Sequence, residues 1–94
     1  MLRKTIVFSE NATQDLEQIL ANVAFFTCSY TSAERLYEEL TSTIEKFSDF
    51  PKMGVVGKVA DTREFWCRGY RIVYQELEHE ILITTIIHTS RKYP

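Results

Sequence analysis

The hydrophobic period of this chain changes once, near residue 50, and that change decides what it can fold into. Before it, apolar residues recur every three or four positions: Ala12, Leu16, Ile19, Leu20 and Val23 running to Phe26, then Ala33, Leu36, Tyr37, Leu40, Ile44 and Phe47. That spacing places them on one face of a helix. After it, from Val55 onward, the period is two, as a half-buried strand requires. Two helices followed by strands must cover one another to bury these faces.

Local signals divide the two halves further. Lys4 to Phe8 is a β-branched and aromatic run that reads as a strand. Asn11 with Gln14 predicts an N-cap and capping box for the first helix, and Thr31 with Glu34 predicts the same for the second. Thr27 to Tyr30 breaks the period between them, so the pair reads as an αα-hairpin. Asp49-Phe50-Pro51 ends the second helix, because the residue before proline is pushed out of the α region. Lys52-Met53-Gly54 continues as a turn. Val56 to Val59 is a weak strand and Arg63 to Cys67 a better one. Arg68-Gly69 is a bend, after which Tyr70, Ile72 and Tyr74 share one face while Arg71 and Val73 take the other. Glu76 to Glu80 is polar enough for a hairpin loop, and Ile81 to Ile87 is the strongest strand signal. The expected fold is α+β: an N-terminal strand, a helical hairpin, then an antiparallel β-meander whose apolar face the hairpin covers.

Composition limits the possibilities. A chain of 94 residues, 45% apolar, supplies one core, so residues 1–94 are expected to form a single domain. No stretch approaches the roughly 18 apolar residues of a membrane span, and the first residues lack the apolar run of a secretory signal; no membrane role and a cytoplasmic location are the expectation. Cys28 and Cys67 have no metal-ligand spacing, so no metal or cofactor is expected and both thiols read as reduced packing residues. A net charge of −2 disfavours nucleic-acid binding by bulk charge.

Five residues toward the end stand out: Arg63, Arg71, His88, Arg91 and Tyr93, expected to converge where strand faces meet the tail. Each has a plainer reading. Arg63 and Arg71 can pair with Glu64, Glu76 or a partner's carboxylates, His88 can hold the tail by hydrogen bonds, and Tyr93-Pro94 can pack. Trp66, next to Phe65, suits packing or a binding hot spot. Tyr37, Tyr70 and Tyr74 read as core, and Glu34, Glu38 and Glu39 as a solvated helix face.

Several short blocks stand in order along the chain: Ala12 with Asp15-Leu16 and Ile19, Phe50-Pro51-x-Met53-Gly54, Thr62-Arg63-Glu64-Phe65, Tyr70-Arg71-Ile72-Val73-Tyr74, and Ile86-Ile87-His88-x-x-Arg91-x-Tyr93-Pro94. Together they resemble the RelE/ParE superfamily of bacterial type II toxin-antitoxin toxins. The resemblance implies a cognate antitoxin and a toxin-antitoxin hetero-oligomer. Its RelE branch cleaves mRNA on the ribosome; its ParE branch poisons DNA gyrase by protein contact. Arg71, His88 and Tyr93 stand where they look like the arginine, histidine and tyrosine of ribosome-dependent members, with Glu64 a conceivable base. Yet Lys58 and Lys92 are the only lysines nearby, where RelE-like nucleases are similar in being strongly basic. The block Gly57-Lys58-Val59 through Glu64 and the ending from His88 look more like the ParE branch. The expectation is a ParE-like gyrase inhibitor with Lys58, Arg63, Trp66, Arg71, Arg91 and Lys92 at the target or antitoxin interface. The alternatives are a RelE-like mRNA interferase and an inactive homologue that still binds antitoxin.

Overall fold

The structure, a computed structural model describing residues 3–94, runs β1 (Thr5–Phe8), α1 (Glu10–Thr27), α2 (Tyr30–Asp49), β2 (Val55–Val56), β3 (Arg63–Cys67), β4 (Tyr70–Glu76) and β5 (Glu80–His88). The five strands form one sheet in the order β1-β5-β4-β3-β2. From β2 to β5 every pairing is antiparallel, as the meander requires, whereas β1 lies parallel to β5 with Thr5 opposite Glu80 and Phe8 opposite Ile83. The long helical crossover between β1 and the rest of the sheet permits this parallel pair.

Both helix starts differ from the sequence expectation, for one reason. A serine two residues ahead of the expected cap, itself in an extended conformation, caps first: Ser9 accepts from the Ala12 N–H at 3.0 Å and Ser29 from the Ser32 N–H at 3.2 Å. Asn11 is thereby free for tertiary work, its amide donating to the Thr84 carbonyl at 3.0 Å. Cys28 closes α1 in the left-handed region with φ 52°, its N–H bonded to the Ala24 carbonyl. That thiol is exposed, not packed as expected, since Cys28 sits in the turn between the two helices rather than on a helix face. The Val56 to Val59 strand shrinks to Val55–Val56, since Gly57 and the residues after it curl into a tight loop back to Thr62.

The core lies between the hairpin and one face of the sheet. Ala12, Leu36, Leu40, Ile44 and Phe47 meet Ile72, Tyr74, Ile81, Ile83 and Ile86. Phe47 stacks on Tyr74 with ring centroids 4.1 Å apart and meets Phe65 edge-on at 5.9 Å. The buried Tyr74 hydroxyl donates to the Pro51 carbonyl at 2.8 Å and accepts from the Gly54 N–H at 2.9 Å, pinning the loop after α2. A Cβ on Gly54 would stand 2.7 Å from that hydroxyl, so the close approach needs glycine. Burial pushes the Tyr74 phenol above its ordinary value, against the pull of the Gly54 bond.

One irregularity sets the side-chain directions beyond it. Val73 pairs with Thr85 but Tyr74 with Ile83, leaving Thr84 as a bulge. The Asp15 carboxylate accepts the Ile86 N–H at 3.0 Å, just past the bulge where β1 has ended. Helix α1 thus satisfies strand groups that have no neighbouring strand. At the opposite end, Glu76 lies 2.8 Å from Lys52 and 3.4 Å from Lys4, tying the entries of β1 and the loop after α2 to the end of β4. The Lys52 hydrogen bond in particular holds the Glu76 carboxyl below its ordinary value.

Candidate functional site on the outer face of the sheet

The pleat of β3 and β4 sorts side chains into two sets. Arg68 (φ 55°) and Gly69 (φ 81°) make a two-residue turn with both φ positive, and Cys67 pairs with Tyr70 across it. Partners around such a turn share a face. Phe65 and Tyr70 therefore point to the helices, as does Cys67, while Trp66 and Arg71 are register partners on the outer face.

On that outer face Arg71 is enclosed. Its Nε lies 3.1 Å from Glu64 Oε1, with side-chain exposures of 13% and 4%. The approach is too oblique for a hydrogen bond, so Nε is buried with a Coulombic partner and no acceptor. The guanidinium carbon sits 5.6 Å from the Trp66 ring and 5.2 Å from the Tyr93 ring, a cation held between two aromatic side chains. Glu64 Oε2 accepts the Lys58 N–H at 2.9 Å, and Lys58 Nζ donates to the Tyr93 carbonyl at 3.2 Å. Lys58 is positioned by the loop beneath it: the Gly57 N–H donates to the Thr62 carbonyl at 2.8 Å and the Thr62 hydroxyl to the Val59 carbonyl at 2.6 Å. Burial pushes the Tyr93 phenol above its ordinary value, with the Glu64 charge adding to the rise and Arg71 opposing it. Such an enclosed pair costs desolvation that its mutual attraction offsets in part, so its plain consequence is a fixed geometry.

The expected convergence is split by the sheet. Arg63 pairs with Tyr74 and lies on the helix side, donating from Nη1 to the Gly54 carbonyl at 2.7 Å. His88 pairs with Tyr70, again on the helix side, its ring edge-on to the Tyr70 ring at 5.2 Å. The Ser90 N–H donates to His88 Nδ1 at 3.1 Å, and the Arg91 N–H to the His88 carbonyl at 3.0 Å. These bonds fold the segment after β5 back on itself. His88 and Arg91 line one end of a groove of ≈ 520 Å³ with Asn11, Asp15, Tyr70 and Ile86. Lys92 is exposed. Of the residues singled out in the sequence, the structure brings together Lys58, Glu64, Trp66, Arg71 and Tyr93. It leaves Arg63 and His88 behind the sheet.

The architecture and the sequence point to one family. A family model described as the ParE toxin of type II toxin-antitoxin system, parDE, matches residues 6–93. The chain belongs to the ParE toxin family. Among solved structures it is similar to a chain of the chromosomal ParDE TA system from P. aeruginosa, with a TM-score of 0.81 at 13% sequence identity, covering 92% of this chain and 96% of that one. At that identity the likeness is one of fold. No curated protein matches significantly.

Within this ParE-family fold, two features escaped the sequence reading. Asp15 serves β5 rather than solvent, a role signalled by its place one turn after Asn11 on the helix edge that faces the strand. Tyr37, expected in the core, is 47% exposed, because it sits beside the buried Leu36 and Leu40 stripe and lines a surface groove with Leu20 and Tyr30. Among the described residues no group of three or more His, Cys, Asp or Glu side chains is placed to hold a metal ion, and no helix is long and apolar enough to cross a membrane.

Proposed function

We propose that this chain is a toxin that inhibits DNA gyrase by protein-protein contact and is neutralised by a cognate antitoxin. The observation that carries the reading is the separation of His88 from Arg71 and Tyr93 by the thickness of the sheet. Metal-free RNA cleavage needs a base, phosphate-holding cations and an acid around one bond. Here the arginine is clamped by Glu64 and two rings, and the imidazole is tied to Ser90 on the other side. A net charge of −2 also gives no electrostatic help toward a polyanionic ribosome. What the outer face does offer is a rigid surface with an exposed tryptophan, Trp66, and an exposed lysine, Lys58, beside a fixed arginine. Aromatic and arginine side chains of this kind carry most of the energy in protein interfaces.

The test is a supercoiling assay with purified gyrase. The protein is expected to block supercoiling or to accumulate cleaved DNA, and antitoxin added in equal amount is expected to reverse the effect. Unimpaired gyrase at saturating, folded protein, together with codon-positioned cuts in mRNA on translating ribosomes, would replace this reading with the nuclease one.

A further inference from the structure

Beyond the Thr84 bulge, β5 has no strand on one side, and most of its edge groups there are taken by other means. Every second residue of a strand turns its N–H and C=O to the same edge. The Ile86 N–H goes to Asp15, and the Thr89 N–H donates to the Gly69 carbonyl at 2.9 Å. Ile86 and His88 therefore turn their backbone groups toward α1, while Ile87 and Thr89 turn theirs toward β4 and its turn. On the α1 side the Thr84 carbonyl receives the Asn11 amide and the His88 carbonyl receives the Arg91 N–H. Two groups keep no protein partner among the described residues: the Ile86 carbonyl and the His88 N–H, an acceptor beside a donor. Both residues line the groove of ≈ 520 Å³ between α1 and the end of β5, a volume in the range of small-ligand sites.

The rest of the lining says what fits. Addition of a further strand needs a run of free edge groups, and one acceptor with one donor is the share of a single residue. A flat ring with a donor next to an acceptor on one edge fills the pair at once, and the Watson–Crick edge of a nucleobase has that pattern. Ile19 and Tyr70 give the groove apolar surface for such a ring. Asp15 Oδ2 takes both the Ile86 N–H and the Asn11 amide, which leaves Oδ1 to accept a sugar hydroxyl. Arg91, beside His88, is exposed and among the described residues makes no ion pair, so its guanidinium is open to a phosphate. We infer that this groove binds a purine mononucleotide, its base edge on the Ile86 carbonyl and the His88 N–H and its phosphate on Arg91. One unpaired cation matches one phosphate, whereas a single strand would bring a row of phosphates to a chain of net charge −2. The groove lies on the helix side of the sheet, away from Trp66 and Lys58, so the inference does not depend on gyrase being the target.

The probes are adenosine and guanosine monophosphate, each titrated into the isotope-labelled full chain. Binding is expected to shift the backbone amides of Ile86 to Arg91 and of Asn11 to Asn22, with the largest shift at His88, and to leave those of β3 unmoved. Ribose 5-phosphate, which lacks the base, is expected to bind about tenfold more weakly, as is the adenosine monophosphate analogue whose exocyclic amine carries two methyl groups and so has no donor. Arg91→Ala, at an exposed position where folding is not at risk, is expected to weaken the nucleotide about tenfold and to leave binding of plain adenosine unchanged. No binding of either nucleotide at millimolar concentration, equal affinity for ribose 5-phosphate, or shifts centred on another surface would overturn the inference. A single-stranded oligonucleotide that binds more tightly than the mononucleotides, with a steep salt dependence, would also overturn it and assign the groove to nucleic acid.

Discussion

The two faces of the β3-β4 ribbon are built from alternating residues of the same strands, yet they close by opposite means. Inward, Phe65, Ile72 and Tyr74 meet Phe47 and the α2 leucines, and closure comes from apolar area with one satisfied hydroxyl. Outward, the Glu64–Arg71 ion pair is closed off by the Trp66 and Tyr93 rings and one backbone donor, the Lys58 N–H. The first arrangement stabilises the fold. The second spends desolvation energy to hold a guanidinium in one orientation, which is useful where a partner must find it in place.

The sharpest way to break this contrast is on the inner face. Phe47→Ala removes a fully buried ring from the centre of the core and is expected to cost about 3 to 5 kcal/mol, measured by urea unfolding. A loss below about 1 kcal/mol would mean that the hairpin does not depend on this contact. On the outer face, Glu64→Gln strands the Arg71 charge and is expected to cost about 2 to 3 kcal/mol, less than a fully buried pair because Arg71 keeps some solvent contact. The double change Glu64→Leu with Arg71→Met is expected to recover most of that loss while abolishing activity. Recovery of stability with activity intact would mean that the clamp serves packing alone.

The smallest effect concerns Glu76, which touches neither face. Its carboxyl is depressed in the folded state, chiefly by the Lys52 hydrogen bond, so its contribution is full above the ordinary carboxylate range and is lost as pH falls through the lowered value. Lys52 is largely exposed, which limits the contribution to about 0.5 to 1 kcal/mol. Glu76→Gln should therefore narrow the stability gap between neutral and acidic pH by that amount. An unchanged pH profile would show that the pair is idle.

Much of this was legible in the sequence because period and turn chemistry are local. The helical spacing of Leu36, Leu40, Ile44 and Phe47 placed α2, and Arg68-Gly69 marked the bend. The same bend also carried information that the sequence reading did not use. Residues pair symmetrically about a two-residue turn, so Trp66 falls opposite Arg71 and Arg63 opposite Tyr74, which puts the two arginines on different faces. His88 was harder. Its face depends on the Thr84 bulge, which nothing in Ile81 to Ile87 announces, and on Asp15 arriving from a helix some 70 residues earlier to take the Ile86 N–H. Phe26, near the end of α1, and Tyr37, beside the buried Leu36, keep the helical period yet stay exposed, because period alone says neither how far along a helix its neighbours reach nor how wide a stripe of it they cover.

The most direct test of the contact mechanism compares two single variants with the parent in the gyrase supercoiling assay: His88→Ala behind the sheet and Trp66→Ala on its outer face, each shown to be folded by circular dichroism. If inhibition runs through the outer face, the histidine variant inhibits as the parent does and the tryptophan variant loses at least tenfold in potency, a hot-spot loss of about 1.4 kcal/mol or more. Inhibition that vanishes with His88 and survives loss of Trp66 would contradict it.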